Sequence, residues 1–139
     1  MIDFNYETEF ILDNEEAIAN WISNVIVSEK KNEGDINYIF CDDEYLHQIN
    51  VEHLGHDTLT DIISFDYTVG NEISGDIFVS IERVKDNAFD FNVPFDEELR
   101  RVLVHGILHY CGYKDKSEVD ELLMRSKEDE KLAMFHVEQ

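Results

Sequence analysis

Positively charged residues are scarce in this chain. Lys and Arg together number 11 against 32 Asp and Glu, which gives a formal net charge of −21 at pH 7. A strongly acidic chain is soluble and is a poor general binder of nucleic acid, because phosphates attract cationic surfaces. Residues 1–29 contain no Lys or Arg, whereas seven of the 11 lie between residues 100 and 131. The charge therefore argues against a DNA-binding protein and directs attention to residues 100–131.

Cysteine, proline and long apolar runs are also rare. Cys41 and Cys111 are the only cysteines, so we expect no disulfide framework and favour a reducing compartment. The single proline, Pro94, leaves no linker-like or collagen-like segment. No apolar run approaches the length of a membrane span, and the acidic N-terminus lacks the pattern of a signal peptide. We therefore expect a cytoplasmic protein that does not enter a membrane.

The apolar residues that are present predict one globular domain, residues 1–139, of class α+β. Hydrophobic residues make up 43% of the chain and aromatic residues 12%, enough for a core in a domain of this length. Apolar periodicity predicts strands at 2–6, 36–41, 62–67 and 76–81. It predicts helices at 14–29, from 42 onward, from 80 to 91, at 96–111 and from 117 to 135. We expect a mixed, mostly parallel four-stranded sheet with about five helices, whose last two strands form an antiparallel pair.

Cap and turn residues predict where some of these elements begin. Asp13 with Glu16, and Ser117 with Asp120, have the spacing of capping boxes. The segment NEISG, residues 71–75, is typical of a turn.

The segment HGILHYCGYKDK, residues 105–116, carries the most functional information. His105 and His109 are four residues apart and so lie on one face of a helix. Gly112 is a natural helix stop, because glycine adopts positive φ without penalty, and the turn then brings Asp115 towards the imidazoles. Two neutral imidazoles and a carboxylate are a standard ligand set for catalytic zinc, with a position left for water. We therefore predict one divalent metal ion per chain, with Zn²⁺ as the first choice.

The neighbours of these residues limit the chemistry but leave alternatives open. Gly106 stands where zinc peptidases of this spacing carry a glutamate general base, which argues against peptide hydrolysis. We interpret Cys111 as a small buried helix residue rather than as a metal ligand. Two histidines and a carboxylate also suit non-haem iron. A fourth protein ligand would instead indicate a closed structural site.

Several cations lie close in sequence to the predicted ligands. Arg101 precedes His105 by four residues and shares its helix face, while Lys114 and Lys116 flank the carboxylate. These three side chains either meet an anionic substrate or pair with neighbouring acids. We interpret the cations between residues 125 and 131 as members of i,i+4 pairs on a solvated helix.

Two segments resemble the YbeY-type rRNA maturation factors of bacteria and organelles. LTDIISFDY (59–67), followed by GDI (75–77), is similar to the family's threonine-aspartate-x-x-serine-phenylalanine strand and its glycine-aspartate-isoleucine. HGILHYCGYKD (105–115) is similar to the family's metal helix and turn. The resemblance covers nearly the whole chain in length and element order. It implies a zincin-like fold with a central metal-site helix, and a metal-dependent, single-strand-specific endoribonuclease of rRNA maturation and ribosome quality control.

The resemblance also implies roles for individual residues. It maps two family histidines onto His105 and His109, and it places Asp115 where the family usually has a third histidine. Oxygen replaces nitrogen at zinc with similar reach, so the predicted site is kept. Asp61 and Ser64 match family positions as well. Asp61 then orients a ligand or a turn and Ser64 lines the pocket, or both belong to a capped loop that enters a core strand.

One residue departs from the family pattern at a position that the family uses to contact its RNA substrate. Leu54 stands where the family usually carries an arginine that contacts substrate. His53 and His56 either replace that arginine in part when protonated or are surface-loop histidines. Arg101 is then the nearest candidate to offset charge that develops on a phosphate, and the metal would lower the pKa of bound water. Expected partners are single-stranded ribosomal RNA and proteins of the small ribosomal subunit. The alternative is a non-catalytic, ribosome-associated factor with a structural metal.

Overall fold

The computed structural model describes residues 1–54 and 60–135, without the side chains of residues 53 and 54. The strands of this part are β1 Ile2–Tyr6, β2 Asn32–Cys41, β3 Ile62–Asp66 and β4 Glu72–Ser80. The helices are α1 Glu15–Ser28, α2 Asp43–Leu54, α3 Ile81–Phe91, α4 Phe95–Tyr110 and α5 Glu118–Leu132. The predicted α+β class, with four strands and five helices, is confirmed. None of the helices in the described ranges combines the length and the apolar character that crossing a bilayer requires.

The strands form one sheet in the order β1-β2-β4-β3. The pairs β1–β2 and β2–β4 are parallel, and β3 pairs antiparallel with β4. This is the mostly parallel sheet with one antiparallel pair that the sequence predicts. Because β3 is an edge strand beside β4, the residues just before it lie next to the start of α3.

Both central strands begin earlier than predicted. β2 starts at Asn32 rather than at residue 36, and β4 starts at Glu72 inside the predicted turn. In the register, Asn32 lies opposite Glu72 and Glu33 lies opposite Ile73. Residues 32–35 are polar and largely exposed, so no apolar alternation marks them as a strand. Backbone pairing, which is indifferent to side-chain polarity, extends both strands.

One predicted cap is wrong and one is confirmed. The N-cap residue of α1 is Asn14 rather than Asp13, and no side-chain hydrogen bond caps that helix. Asp13 lies one residue too early to reach the free N–H groups of the first turn. Ser117 does cap α5, since its hydroxyl accepts a hydrogen bond from the N–H of Asp120 at 3.1 Å.

Helix α4 lies against the sheet and is the most deeply buried helix segment near the predicted site. Its buried apolar side chains join those of α1 and of strands β2 and β4 in the main core; on α4 they include Val102, Leu103, Val104, Ile107 and Leu108. A smaller cluster of Cys41, Leu46 and Ile63 brings in residues of β2, α2 and β3. The predicted central position of the metal-site helix is confirmed.

Two tyrosines fix α4 against the sheet. The hydroxyl of Tyr38 donates to the carbonyl of Leu103 at 2.8 Å, and that of Tyr110 donates to the carbonyl of Phe65 at 3.0 Å. The second contact requires glycine at position 75, because a Cβ there would lie 2.5 Å from the Tyr110 hydroxyl oxygen. These bonds set the depth and rotation of the helix that carries the histidines.

A buried ion cluster ties α5 to the end of α1. The Lys131 ammonium, only 2% exposed, lies 2.7 Å from a carboxylate oxygen of Glu29 and 2.9 Å from the Ser28 hydroxyl. The other oxygen of Glu29 accepts a hydrogen bond from the Tyr113 hydroxyl at 2.7 Å. The indole of Trp21 donates to the backbone carbonyl of Lys131 at 2.7 Å. The cluster thereby links α1, α5 and the turn after α4.

We predict that Glu29→Ala lowers the free energy of unfolding by about 2–4 kcal/mol near neutral pH, because it leaves a buried ammonium with less compensation. Burial favours the protonated carboxyl, but hydrogen bonds from Lys131 and Tyr113 hold the pKa of Glu29 below its usual value of 4.5. Its contribution is therefore present above pH 4.5 and is lost as the pH falls through the folded-state value. Urea titrations at several pH values should show the difference from the parent shrinking in acid.

Glu130→Ala is the matched control for this prediction. Glu130 contacts the same ammonium at 2.8 Å but is 53% exposed, so its removal should cost less than about 1 kcal/mol. Equal effects of the two substitutions would contradict the role given to the buried pair.

Candidate metal centre

The end of α4 is built as the sequence predicts, by a glycine turn. Gly112 has φ +107°, a conformation that side chains rarely adopt. Its N–H donates to the carbonyl of His109 at 3.0 Å, and the N–H of Tyr113 donates to the carbonyl of Leu108 at 3.0 Å. This is the hydrogen-bond pattern of a Schellman motif, which ends a helix and reverses the chain. The turn directs the residues after Gly112 back towards the histidines.

The side chains of His105, His109 and Asp115 converge on one point. The two Nε2 atoms lie 3.0 Å apart, and each lies 3.3 Å from Oδ2 of Asp115. Neighbouring ligand atoms of a tetrahedral zinc site lie about 3.3 Å apart when the bonds are about 2.0–2.1 Å long. Among the residues that the structure describes, these three form the cluster of His, Cys, Asp or Glu side chains that could hold a metal ion. The structure therefore brings together the three residues that the sequence singles out.

Hydrogen bonds on the far side of each ring fix the tautomers. Nδ1 of His109 lies 3.0 Å from the carbonyl oxygen of Tyr113, which can only accept, so Nδ1 carries the hydrogen. Nδ1 of His105 lies 2.6 Å from Oε2 of Glu128 and donates to that carboxylate. Both Nε2 lone pairs then face each other and the Asp115 oxygen. Three acceptors at this separation repel one another unless a cation lies between them, so the donor set fits a divalent metal.

Glu128 is the residue on which the orientation of His105 depends. Its side chain is 6% exposed, and its other oxygen lies 2.8 Å from Nη1 of Arg101. Burial alone favours the protonated acid, but hydrogen bonds from His105 and Arg101 hold the pKa of Glu128 below its usual range. Burial likewise opposes the charged imidazole, yet Glu128, with Asp115 and Asp61, raises the pKa of His105. Carboxylate–histidine pairs of this kind orient metal ligands in many proteins.

Sequence reasoning missed Glu128, although one signal was available. Along α5 the buried residues are Met124, Glu128 and Lys131, which share the face turned towards the core. A carboxylate on the buried face of a helix requires a partner, since carboxylates are almost never fully buried alone. What the sequence does not provide is the partner itself, 23 residues away on α4.

A cleft of about 340 Å³ adjoins the centre and holds two more of the predicted residues. Its lining includes Asp61 just before β3, Asn87 on α3, Glu98 and Arg101 on α4 and Arg125 on α5, together with the potential ligands His105 and Asp115. Arg101 also contacts Asp129 at 2.6 Å, so both ends of its guanidinium bind carboxylates. The cleft therefore mixes acidic and basic groups beside the predicted metal.

Asp61 and Ser64 differ in their relation to the cleft. Nδ2 of Asn87 donates to Oδ2 of Asp61 at 3.3 Å. Burial raises the pKa of Asp61, and the nearby His105 opposes that rise. Ser64 is exposed on β3 beside the hydroxyl of Tyr110 and does not line the cleft. Their catalytic roles stay predictions.

Three further positions bear on the chemistry. A Cβ at Gly106 would lie 3.1 Å from Ile77 and 3.2 Å from Ile62, so this position faces the sheet and has no space for a glutamate. Cys111 packs beside the main core rather than joining the ligand group. Burial raises the pKa of its thiol to about 11, with a contribution from the charge of Glu29.

Leu54, which stands where the family usually carries an arginine that contacts substrate, is the last residue of α2. The side chains of His53 and Leu54, and all of His56, lie outside the described residues.

The fold and the centre together define a small α+β protein with a candidate metal site of the histidine–histidine–carboxylate type, whose potential ligands lie on one buried helix and the turn after it. Residues 2–136 match the family model described as endoribonuclease YbeY. The chain belongs to the YbeY endoribonuclease family, as its resemblance implied.

Close relatives and one solved structure agree with this assignment. The protein named endoribonuclease YbeY from Flavobacterium johnsoniae is 82% identical over 139 residues, covering 100% of both chains. Its namesake from Flavobacterium psychrophilum is 68% identical, covering 100% of this chain and 99% of its own. The solution structure of TM1509 from Thermotoga maritima is similar with a TM-score of 0.70 and 26% identity, covering 97% of this chain and 89% of its own.

We predict that Glu128→Gln weakens metal binding by about 10–100-fold, because the uncharged amide no longer holds His105 as the carboxylate does. The measurement is a competition titration with a chromogenic zinc chelator. Asp129→Asn is the control, since Asp129 contacts Arg101 but not the imidazole. Equal zinc affinities for the parent and Glu128→Gln would contradict the role given to this carboxylate.

We also predict that the parent binds one metal ion per chain and that His105→Ala and His109→Ala each lower the affinity at least about 10–100-fold. Asp115→His should keep the metal, whereas Asp115→Ala should weaken binding. Metal analysis of protein purified without added metal provides the measurement. Unchanged metal content in both histidine variants would rule out this centre, and full binding by Asp115→Ala would assign the third ligand to another group.

Proposed function

We propose that this protein is a metal-dependent endoribonuclease that cleaves single-stranded RNA during ribosomal RNA maturation and ribosome quality control. The observation that carries the proposal is the triangle of two imidazole nitrogens and one carboxylate oxygen beside a cleft. Family membership supports RNA as the substrate, since the curated relatives are named endoribonucleases. A catalytic zinc site keeps a position for water or substrate, and a three-ligand set leaves that position available.

In this proposal His105, His109 and Asp115 hold a divalent ion, most simply Zn²⁺. Such an ion supplies Lewis acidity and lowers the pKa of a water molecule that it binds. Glu128 keeps His105 in the tautomer with its lone pair on Nε2. Arg101 acts first as a positioning residue, because its contact with Glu128 helps to keep that carboxylate charged, and its side chain also lines the cleft. Asp61 lines the cleft with His105, and burial raises its pKa, so we assign to this carboxyl the exchange of a proton there.

The acidic surface bears on how the substrate is held. A net charge of −21 repels RNA over most of the molecule, and the cations near the centre are few. We propose that the protein docks through its acidic surface on a basic protein of the small ribosomal subunit in the cytoplasm. The docked partner then presents the single-stranded segment to the cleft.

Specific measurements would distinguish two alternative functions from the proposed one. A two-histidine, one-carboxylate set also suits non-haem iron, which metal analysis and an oxygen-consumption assay would reveal. A non-catalytic factor with a structural metal would show a fourth protein ligand and no turnover.

The direct test is cleavage of a fluorogenic single-stranded RNA by metal-loaded protein, compared with the same sequence in a duplex. The single strand should be cut, the duplex should resist, and His109→Ala should lose activity together with metal. A metal-loaded parent that cuts neither RNA, alone or with small ribosomal subunits, would overturn the proposal.

A salt titration tests the docking part separately. We predict weak binding to isolated single-stranded RNA, with a log–log salt slope on the order of −1 to −3, because each phosphate contact contributes about −0.7. Adding small ribosomal subunits should strengthen binding markedly. Tight and steeply salt-dependent binding by the protein alone would contradict the need for a basic partner.

A further inference from the structure

An exposed aromatic side chain at the end of α3 lines the cleft together with residues of the ligand-bearing helix α4. Phe91, the last residue of α3, is 57% exposed and lines the cleft with His105 and Asp115. Phe89 on the same helix is even more exposed, at 86%, but does not line this cleft. Single exposed apolar residues are ordinary, so Phe89 alone carries no argument. The position of Phe91 beside the metal ligands is what distinguishes it.

The same cleft has an arginine whose charge is accessible. Arg125 on α5 has a side chain that is 56% exposed, and its contact with Glu128 is 3.5 Å long. Arg101 is only 19% exposed and holds carboxylates at 2.8 and 2.6 Å. Because the Arg125 side chain is more than half exposed and its one contact is long, a phosphate competes for this guanidinium more easily than for that of Arg101. Phe91 and Arg125 also line an adjoining cleft together.

We propose that Phe91 and Arg125 form a nucleotide-binding pair beside the metal centre, with the Phe91 ring stacking on an unpaired base and the Arg125 guanidinium contacting a backbone phosphate. The inference rests on the proposed function and names the residues that hold its substrate. Proteins that bind single strands combine an aromatic platform with cations along the backbone. A base within a duplex has both faces covered by its neighbours, so a stacking platform selects single strands.

The two contacts differ in how they respond to salt, which makes them separable. Stacking is insensitive to counterions, whereas each phosphate contact with a single strand contributes about −0.7 to the log–log salt slope. Phe91→Leu should therefore weaken binding of a fluorescent single-stranded oligoribonucleotide about fivefold or more at every salt concentration, with the slope unchanged. Phe91→Trp should retain the affinity. Arg125→Gln should make the slope shallower by about 0.7, and the effect should vanish at high salt.

Controls of the same residue type or charge are available on α3. Phe89→Leu removes an exposed phenylalanine outside the cleft, and Lys85→Gln removes an exposed positive charge that does not line it. Both controls should bind and cleave as the parent does. All variants should keep the parent's metal content, and in cleavage assays Phe91→Leu should raise KM more than it lowers kcat.

The outcomes separate this inference from the function on which it rests. A metal-loaded parent that neither binds nor cleaves single-stranded RNA, alone or with small ribosomal subunits, would remove the proposed function and the pair with it. A parent that cleaves, with Phe91→Leu matching Phe89→Leu and Arg125→Gln matching Lys85→Gln, would overturn the pair and leave the endonuclease standing. A Phe91→Trp variant as weak as Phe91→Leu would show that shape rather than aromatic stacking matters, and this would also overturn the pair.

Discussion

The short hydrogen bond between Glu128 and His105 is the contact on which the geometry of the centre depends. It joins α5 to α4 across 23 residues of sequence and places the hydrogen of the imidazole on Nδ1. With the hydrogen on Nδ1, the lone pair on Nε2 of His105 points towards Nε2 of His109 and Oδ2 of Asp115. The same carboxylate binds Arg101, so the charge that orients the ligand is itself compensated. Without these two partners, the buried charge of Glu128 would destabilise the folded state.

The second imidazole is oriented by backbone rather than by a side chain. His109 donates to the carbonyl of Tyr113, and the Schellman turn at Gly112 places that carbonyl. The hydroxyl of Tyr113 in turn contacts Glu29 in the ion cluster with Lys131. The centre therefore sits on the contacts that join α1, α4 and α5. Substitutions of Glu29 should therefore alter the stability of the fold and the position of the turn after α4, and not the reaction at the centre itself.

Much of this arrangement could be predicted from sequence, because it is local. His105, His109, Gly112 and Asp115 lie within eleven residues, and helix periodicity and glycine conformation relate them directly. Glu128 and the cleft between α3 and α5 depend on tertiary packing, which no local pattern encodes. The early starts of β2 and β4 escape prediction for a related reason, since the added residues are mostly polar and pair through the backbone.

The negative charge of the chain and its proposed RNA substrate are reconciled in two ways: a few cations lie near the centre, and the acidic surface is proposed to dock on a basic ribosomal protein. Most of the surface repels RNA, while Arg125 lines the cleft with His105 and Asp115, and Lys114 and Lys116 flank Asp115 in the sequence. Every role proposed for the centre requires that His105, His109 and Asp115 bind a metal in an open site. The most direct measurement is a crystal structure of protein purified without added metal, with anomalous data at the zinc edge. We predict one peak bonded to Nε2 of His105, Nε2 of His109 and a carboxylate oxygen of Asp115, with a non-protein ligand completing the shell. A metal located elsewhere, or held by a fourth protein ligand, would contradict the account.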